Sequence, residues 1–225
     1  MKRFVKENSL SLFFLAIFLL ALVGQAISGH NLYNEEARQH GESTIGFWRY
    51  LSSSDFGQAV MENWQSEYLQ FALFGLATVW LLQKGSSESK ELDQAGTESD
   101  EEQKVGEHAE EDSPRWAAVG GIRTAIYSNS LIIAMALVFF GSWFAQSVTG
   151  WTVFNSEQHD HGEPRVSWLT YAGSSDFWQA TFQNWQSEFL AVGSFAVLVI
   201  YLRQRGSPES KPVGAPIGDA TGQEG

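Results

Sequence analysis

The sequence predicts an all-α integral membrane protein: a four-helix bundle built from two parallel two-span repeats, with a disordered acidic linker and C-terminal tail. Three observations predict this. Two uncharged apolar runs are long enough to span a bilayer, the two halves of the chain match at one constant offset, and much of the charge sits between the halves. An uncharged run of about 18–20 residues covers a ~30 Å hydrocarbon layer at 1.5 Å per residue.

Composition narrows the chemistry. The 225 residues carry 14 Lys+Arg against 26 Asp+Glu, a formal net charge of -12, with no Cys. The missing thiol excludes disulfides, thiolate zinc sites, iron–sulfur ligation and cysteine nucleophiles. The acidic balance argues against a nucleic-acid partner, which needs a basic face. The slightly negative mean hydropathy of -0.17 averages apolar spans with a charged linker.

The first predicted repeat covers residues 1–83. Its first span, about 10–28, reads LSLFFLAIFLLALVGQAI and shows no polar stripe of the kind a soluble surface helix carries. The basic start and the Gly24-Gln25-Ala26 stretch also fit a signal peptide, but the matching run near residues 131–148 lies mid-chain, which argues against cleavage. A long outer loop follows, near 29–62. The second span, about 63–82, has an apolar part of only about 15 residues, so Asn63 to Glu67 must lie at the membrane edge. Asp55 with Gln58, and Asp176 with Gln179, fit a capping-box variant that starts one long helix at about 55–83 and its copy at about 176–204.

Residues 84–115 are rich in Glu, Ser and Gly and poor in aromatics, which predicts a solvated, disordered linker. From 84 to 112 there are 11 acids and 3 bases, and 3 − 11 = -8. The second repeat covers 116–205, with spans at about 130–148 and 184–202 and an outer loop near 150–183. Residues 115–128 mix Trp, Arg and small apolar residues and suit a short interfacial helix. Residues 206–225 form a disordered tail.

Adding 121 maps residues 8–90 onto 129–211. Gln25 falls on Gln146, His40-Gly41-Glu42 on His161-Gly162-Glu163, and Asn63-Trp64-Gln65-Ser66-Glu67 on Asn184-Trp185-Gln186-Ser187-Glu188. Two spans return the chain to its starting side, so the halves share one orientation, as in parallel-repeat transporters. Lys and Arg cluster on the side of the termini and linker, which places both termini in the cytoplasm of a bacterial inner membrane.

A carboxylate at the membrane edge is costly unless hydrated, paired or protonated. Glu67 and Glu188 therefore read either as hydrated or clamped acids, or as the centre of an outward polar pocket. Its lining would be Gln25, Asn63, Gln65, Gln146, Asn184 and Gln186. Trp64 and Trp185 suit interfacial anchors. His40, Glu42, His161 and Glu163 offer imidazole and carboxylate donors for a divalent metal; a turn built on the central glycine explains the same pattern.

The NWQSE(F/Y)L motif after a two-span unit resembles a bacterial family of small four-span membrane proteins classified only as a domain of unknown function. The resemblance covers residues 1–82 and 123–205. It implies a membrane location and supplies no catalytic residues.

There is no phosphate-binding Gly-rich loop, HExxH pair or GxSxG elbow. The expected function is non-enzymatic, an assembly or envelope-accessory protein. The alternative is a cation or proton carrier working at Glu67 and Glu188, and the least favoured is a membrane metalloenzyme. No cofactor is expected. The expected partners are the lipid bilayer and, for any wide pore, further copies of the chain.

Overall fold

The computed structural model describes residues 2–218. Its regular structure is helical: α1 (Lys2–Glu7), α2 (Ser9–Gln39), α3 (Phe47–Leu51), α4 (Ser54–Ala77), α5 (Arg115–Ala118), α6 (Gly121–Ser128), α7 (Ser130–Asp160), α8 (Trp168–Ala172) and α9 (Ser175–Tyr201). No strand occurs among the described residues. Helix starts recur at the sequence offset: Ser9 and Ser130, Phe47 and Trp168, Ser54 and Ser175 are each 121 apart.

Among the described residues, α2 and α7 are the helices long and apolar enough to cross a membrane. Only 6% of the most apolar window of α2 and 22% of that of α7 is buried. A soluble core helix of this composition would be buried, because exposing such a run to water forgoes about 25 cal/mol for each Å² of apolar surface.

Three expectations about boundaries are corrected. First, the outer loops are shorter than predicted, because α2 continues through residues 29–39 and α7 through 150–160. Those extensions carry no proline and end only at His-Gly-Glu turns. Second, α4 stops at Ala77 rather than near 82, whereas α9 runs to Tyr201, three residues further in repeat register. Thr78 Oγ1 donates to the carbonyls of Phe74 at 3.0 Å and Gly75 at 3.3 Å. Back-bonding of this kind weakens a helix end, and glycine in the last turn adds to it. The second half has Val199 and Ala196 at those positions. Third, the N-caps are serines rather than Asp55 and Asp176. Ser53 Oγ accepts the Phe56 N–H and Ser174 Oγ the Phe177 N–H, each at 3.3 Å. The aspartates sit within the first turn, two residues after the caps, where a negative charge favours the positive helix end.

The linker, read from its composition as solvated and without order, is laid out as turns with single 3-10 turns at Leu92–Gln94 and Gly106–His108. Lys90 Nζ pairs with Glu98 at 2.6 Å, and the Gly96 N–H donates to the Val79 carbonyl at 2.7 Å.

The chain divides into two compact units. One contains residues 1–60 and 145–171, the other 61–144 and 172–225. In the second unit the Trp143 ring packs with Phe139, Phe177, Trp178 and Trp185, at centroid distances of 5.7, 6.0, 5.7 and 6.2 Å. Its Nε1 donates to Thr181 Oγ1 at 3.4 Å.

Candidate functional site: the acidic outer cleft

The first unit contains the segments that follow α2 and α7 through residue 171, and each is shaped by the same three devices. The first is the helix stop. After α2 the N–H of Glu42 donates to the Ala37 carbonyl at 2.7 Å, with Gly41 at φ +75; after α7 the N–H of Glu163 donates to the Gln158 carbonyl at 2.7 Å, with Gly162 at φ +74. This is the Schellman geometry, and only glycine adopts its left-handed residue without strain.

The second device is an asparagine clamp on the returning chain. Asn34 Oδ1 accepts the Ile45 N–H at 2.8 Å while its Nδ2 donates to the Ile45 carbonyl at 3.0 Å. Asn155 does the same to Val166, at 2.8 and 3.1 Å. One side chain thus satisfies both backbone groups of a residue that has left regular structure. The equivalent residues His30 and Trp151 supplement the clamp: His30 Nε2 lies 2.8 Å from the Ile45 carbonyl, and Trp151 Nε1 donates to the Val166 carbonyl at 2.8 Å.

The third is a close approach. Tyr50 on α3 lies against Gly29, and Tyr171 on α8 against Gly150, so tightly that a Cβ at either glycine would overlap the tyrosine hydroxyl.

These devices hold the ends of α2 and α7 and the start of α4 around a cleft of about 1030 Å³. Glu36, Glu42, Asp55, Glu157 and Asp160 line it, together with Tyr33, His40 and His161. Glu36 and Glu157 are repeat equivalents, as are His40 and His161. No Lys or Arg belongs to the described lining. The Tyr33 phenol is held above its ordinary value, first by burial and then by the charges of Asp55 and Glu42, with Arg49 opposing. Tyr50 is raised in the same way, by burial and then by Asp55. A concave surface of one charge sign focuses the field and concentrates counter-ions, most strongly at low salt.

The predicted metal donors are arranged differently. His40 Nδ1 lies 2.9 Å from the Glu36 carbonyl and His161 Nδ1 2.7 Å from the Glu157 carbonyl, so each imidazole closes the end of its own helix. Glu42 lines the cleft and Glu163 is exposed. Among the described residues, no group of three or more His, Asp or Glu side chains is gathered to hold a metal ion.

The predicted membrane-edge pocket is distributed over both units, Gln25 and Gln146 in the first and the NWQSE residues in the second. Gln25 is half-buried; Gln146 is 1% exposed, and neither its Oε1 nor its Nε2 has a hydrogen-bond partner among the described residues. In the second unit Gln65 is fully buried and accepts a 2.7 Å bond from Trp185 Nε1, so this expected interfacial anchor also ties α9 to α4. Trp64 is half-buried. Asn63, Glu67 and Gln186 are exposed. Glu188 is half-buried within electrostatic reach of Glu67, and Asn184 Nδ2 donates to the Ala180 carbonyl at 2.8 Å.

Glu36, Glu157, Asp160 and the two asparagine clamps were not singled out from the sequence, and Asp55 was read only as a helix cap. The available signal was the offset of 121, which matches Glu36 to Glu157 and Asn34 to Asn155.

A family model described as "Domain of unknown function (DUF6766)" matches residues 1–223, and the chain belongs to that family. No curated protein and no solved structure matches.

Proposed function

We propose that this member of an uncharacterised family is a non-enzymatic, four-span inner-membrane protein that gathers cations at its outer face. In this reading two parallel repeats cross the membrane as α2, α4, α7 and α9, and both termini and the linker lie in the cytoplasm. The observation that carries the functional part is the cleft: five carboxylates from α2, α4, α7 and the turn after α2, with no Lys or Arg in the described lining. Because no three donors converge among the described residues, the guest is a hydrated inorganic cation or a small organic cation held by field and outer-sphere hydrogen bonds, not a stripped metal ion. Glu67 and Glu188 are proposed as a second acidic station in the other unit.

The test is equilibrium binding of calcium and of tetramethylammonium to the protein in nanodiscs. Binding should weaken steeply as salt rises, and Glu36→Gln with Glu157→Gln and Asp160→Asn should weaken it at least tenfold. Binding that ignores both salt and these substitutions would refute the reading. Uptake into reconstituted vesicles then separates a carrier from a static binding protein.

A second reading, an assembly or envelope-accessory protein, is favoured by the apolar run of α2, almost all of which is uncovered. Cross-linking of single cysteines along α2 into dimers within the membrane would support it, and exclusively lipid-facing labels would end it.

A further inference from the structure

The segment that leads into α7 breaks with the linker before it. α5 and α6 form a helical corner in which Gly120 and Gly121 both take positive φ, +72 and +64. Thr124 Oγ1 donates to the Trp116 carbonyl at 2.7 Å, and Thr124 and Ala117 are buried in the corner. At 100° per residue, Ile122 and Ile126 share the face of α6 opposite Thr124, with Arg123 at one edge of it. That face is open: Ile122 is 77% exposed, and Ile126 and the neighbouring Trp116 are also exposed.

The charge changes at the same place. Residues 84–112 carry 11 acids, whereas 115–128 contain Arg115 and Arg123 and no acid. Asn129 Nδ2 then donates to the Ala125 carbonyl at 2.8 Å, α6 ends, and α7 begins at Ser130. The same device precedes α2. Asn8 Nδ2 donates to the Phe4 carbonyl at 2.9 Å, and α1 exposes Phe4 and Val5 beside Arg3 and Lys6.

We propose that the α5–α6 corner lies in the inner headgroup layer and binds anionic phospholipid. Ile122 and Ile126 enter the acyl boundary, Trp116 sits at the interface, and Arg115 and Arg123 engage headgroup phosphates. The inference rests on the reading that α7 crosses the membrane. Ile126 lies four residues before Ser130, only about 6 Å along a helix at 1.5 Å per residue. A protein partner would have to displace lipid to reach that face. Charge complementarity selects the anionic headgroup, since each Lys or Arg near such a surface favours it about fivefold.

The chain has no cysteine, so single labels can be placed cleanly in the full-length protein. An environment-sensitive fluorophore at Ile122→Cys is compared with labels at Leu137→Cys, lipid-facing on α7, and Glu107→Cys in the linker. The host is a nanodisc of phosphatidylcholine, with or without phosphatidylglycerol. The label at 122 should be quenched by headgroup-depth spin-labelled lipid and shift further to the blue when phosphatidylglycerol is present. Arg115→Gln with Arg123→Gln should abolish that added shift without changing the label at 137. A water-exposed label at 122 beside a lipid-buried label at 137 overturns this inference alone; a water-exposed label at 137 overturns the spanning reading. Shielding at 122 that is equal in both lipids, or caused by a co-purifying protein, overturns the anionic-lipid assignment.

Discussion

The two halves of the chain agree in their outer segments and diverge in their apolar parts. In the segments after α2 and α7, asparagine clamp, glycine–tyrosine contact, glycine turn and serine cap all recur at an offset of 121. Within the apolar helices the second half builds an aromatic cluster on Trp143, where the first half has Leu22; Trp178 and Thr181 correspond to Gly57 and Val60. The difference follows from the physics of each region. A chain that leaves a helix and returns must satisfy its backbone groups one by one, and few side chains do so at a given geometry. Apolar packing accepts many combinations of similar volume.

The clamp offers the largest way to break the comparison. Asn34→Ala and Asn155→Ala each strip a donor and an acceptor from one half-buried backbone residue. Each should destabilise by about 2–3 kcal/mol, since an orphaned buried polar group costs about 1–3 kcal/mol. The two losses should match, as read by thermal unfolding in detergent with near-UV dichroism. His30→Phe, which removes the ring-nitrogen contacts to the Ile45 carbonyl and the Asn34 amide but leaves both clamp bonds of Asn34 in place, should cost less than either. Unequal losses at the asparagines would mean that the two outer segments do different work.

The glycine contact comes next. Gly29→Ala forces a methyl group into the Tyr50 hydroxyl, and overpacking of this kind costs about 1–3 kcal/mol. Tyr50→Phe removes the overlapping oxygen but leaves Cζ at 3.0 Å, so the double variant should recover part of the loss and not all of it. The same cycle at Gly150 and Tyr171 should give the same coupling. Equal losses in the tyrosine and phenylalanine backgrounds would show that the contact is incidental.

These outer devices explain how far the sequence could be read. The apolar runs of α2 and α7 follow from hydropathy, and the offset of 121 follows from arithmetic, because both are properties of many residues at once. The lengths of the helices do not. Whether α2 ends at Ile27 or Gln39 is decided by His40-Gly41-Glu42, whose turn also supplied the only local reason to suspect a metal. The serine caps were hidden behind Asp55 and Asp176, which fit the same signature two residues later. The acidic cleft was the least legible part, since Glu36, Asp55, Glu157 and Asp160 are far apart in sequence, and their meeting depends on the turns that follow α2 and α7.

Two buried glutamines sharpen the contrast within the apolar helices. Gln65 accepts a bond from Trp185, whereas Gln146 has no partner for either side-chain polar atom among the described residues. Gln65→Leu should therefore destabilise by about 1–2 kcal/mol, since it leaves an indole N–H unpaired. Gln146→Leu should be neutral or stabilising, because it removes a donor and an acceptor that gain nothing in the fold. Gln186→Leu, at the exposed equivalent of Gln65, should change little. A loss at Gln146 as large as that at Gln65 would mean that its amide holds something the fold requires.

The smallest expected effect concerns the two turns that follow α4 and α9, where the halves again agree. Ser89 Oγ accepts the Gln83 N–H at 2.8 Å, and Ser210 Oγ the Gln204 N–H at 2.9 Å. The turns also meet each other, since Ser87 Oγ donates to the Glu209 carbonyl at 3.1 Å. Burial raises the Glu88 carboxyl above the ordinary carboxylate range, and the nearby Glu209 carboxylate, with a side-chain hydrogen bond to it, raises it further. An acid raised in the folded contact holds its proton where the free chain has lost it. The contact is therefore strongest below the ordinary carboxyl value and weakens as pH climbs through the raised one. Protection from hydrogen exchange at residues 204–211, taken relative to the intrinsic rate at each pH, should fall over that window and then level off at higher pH. Glu88→Gln should flatten the profile at the protected level, because the amide keeps a hydrogen bond to Glu209 without the repulsion. A profile that Glu88→Gln leaves unchanged would assign the pH response to other groups.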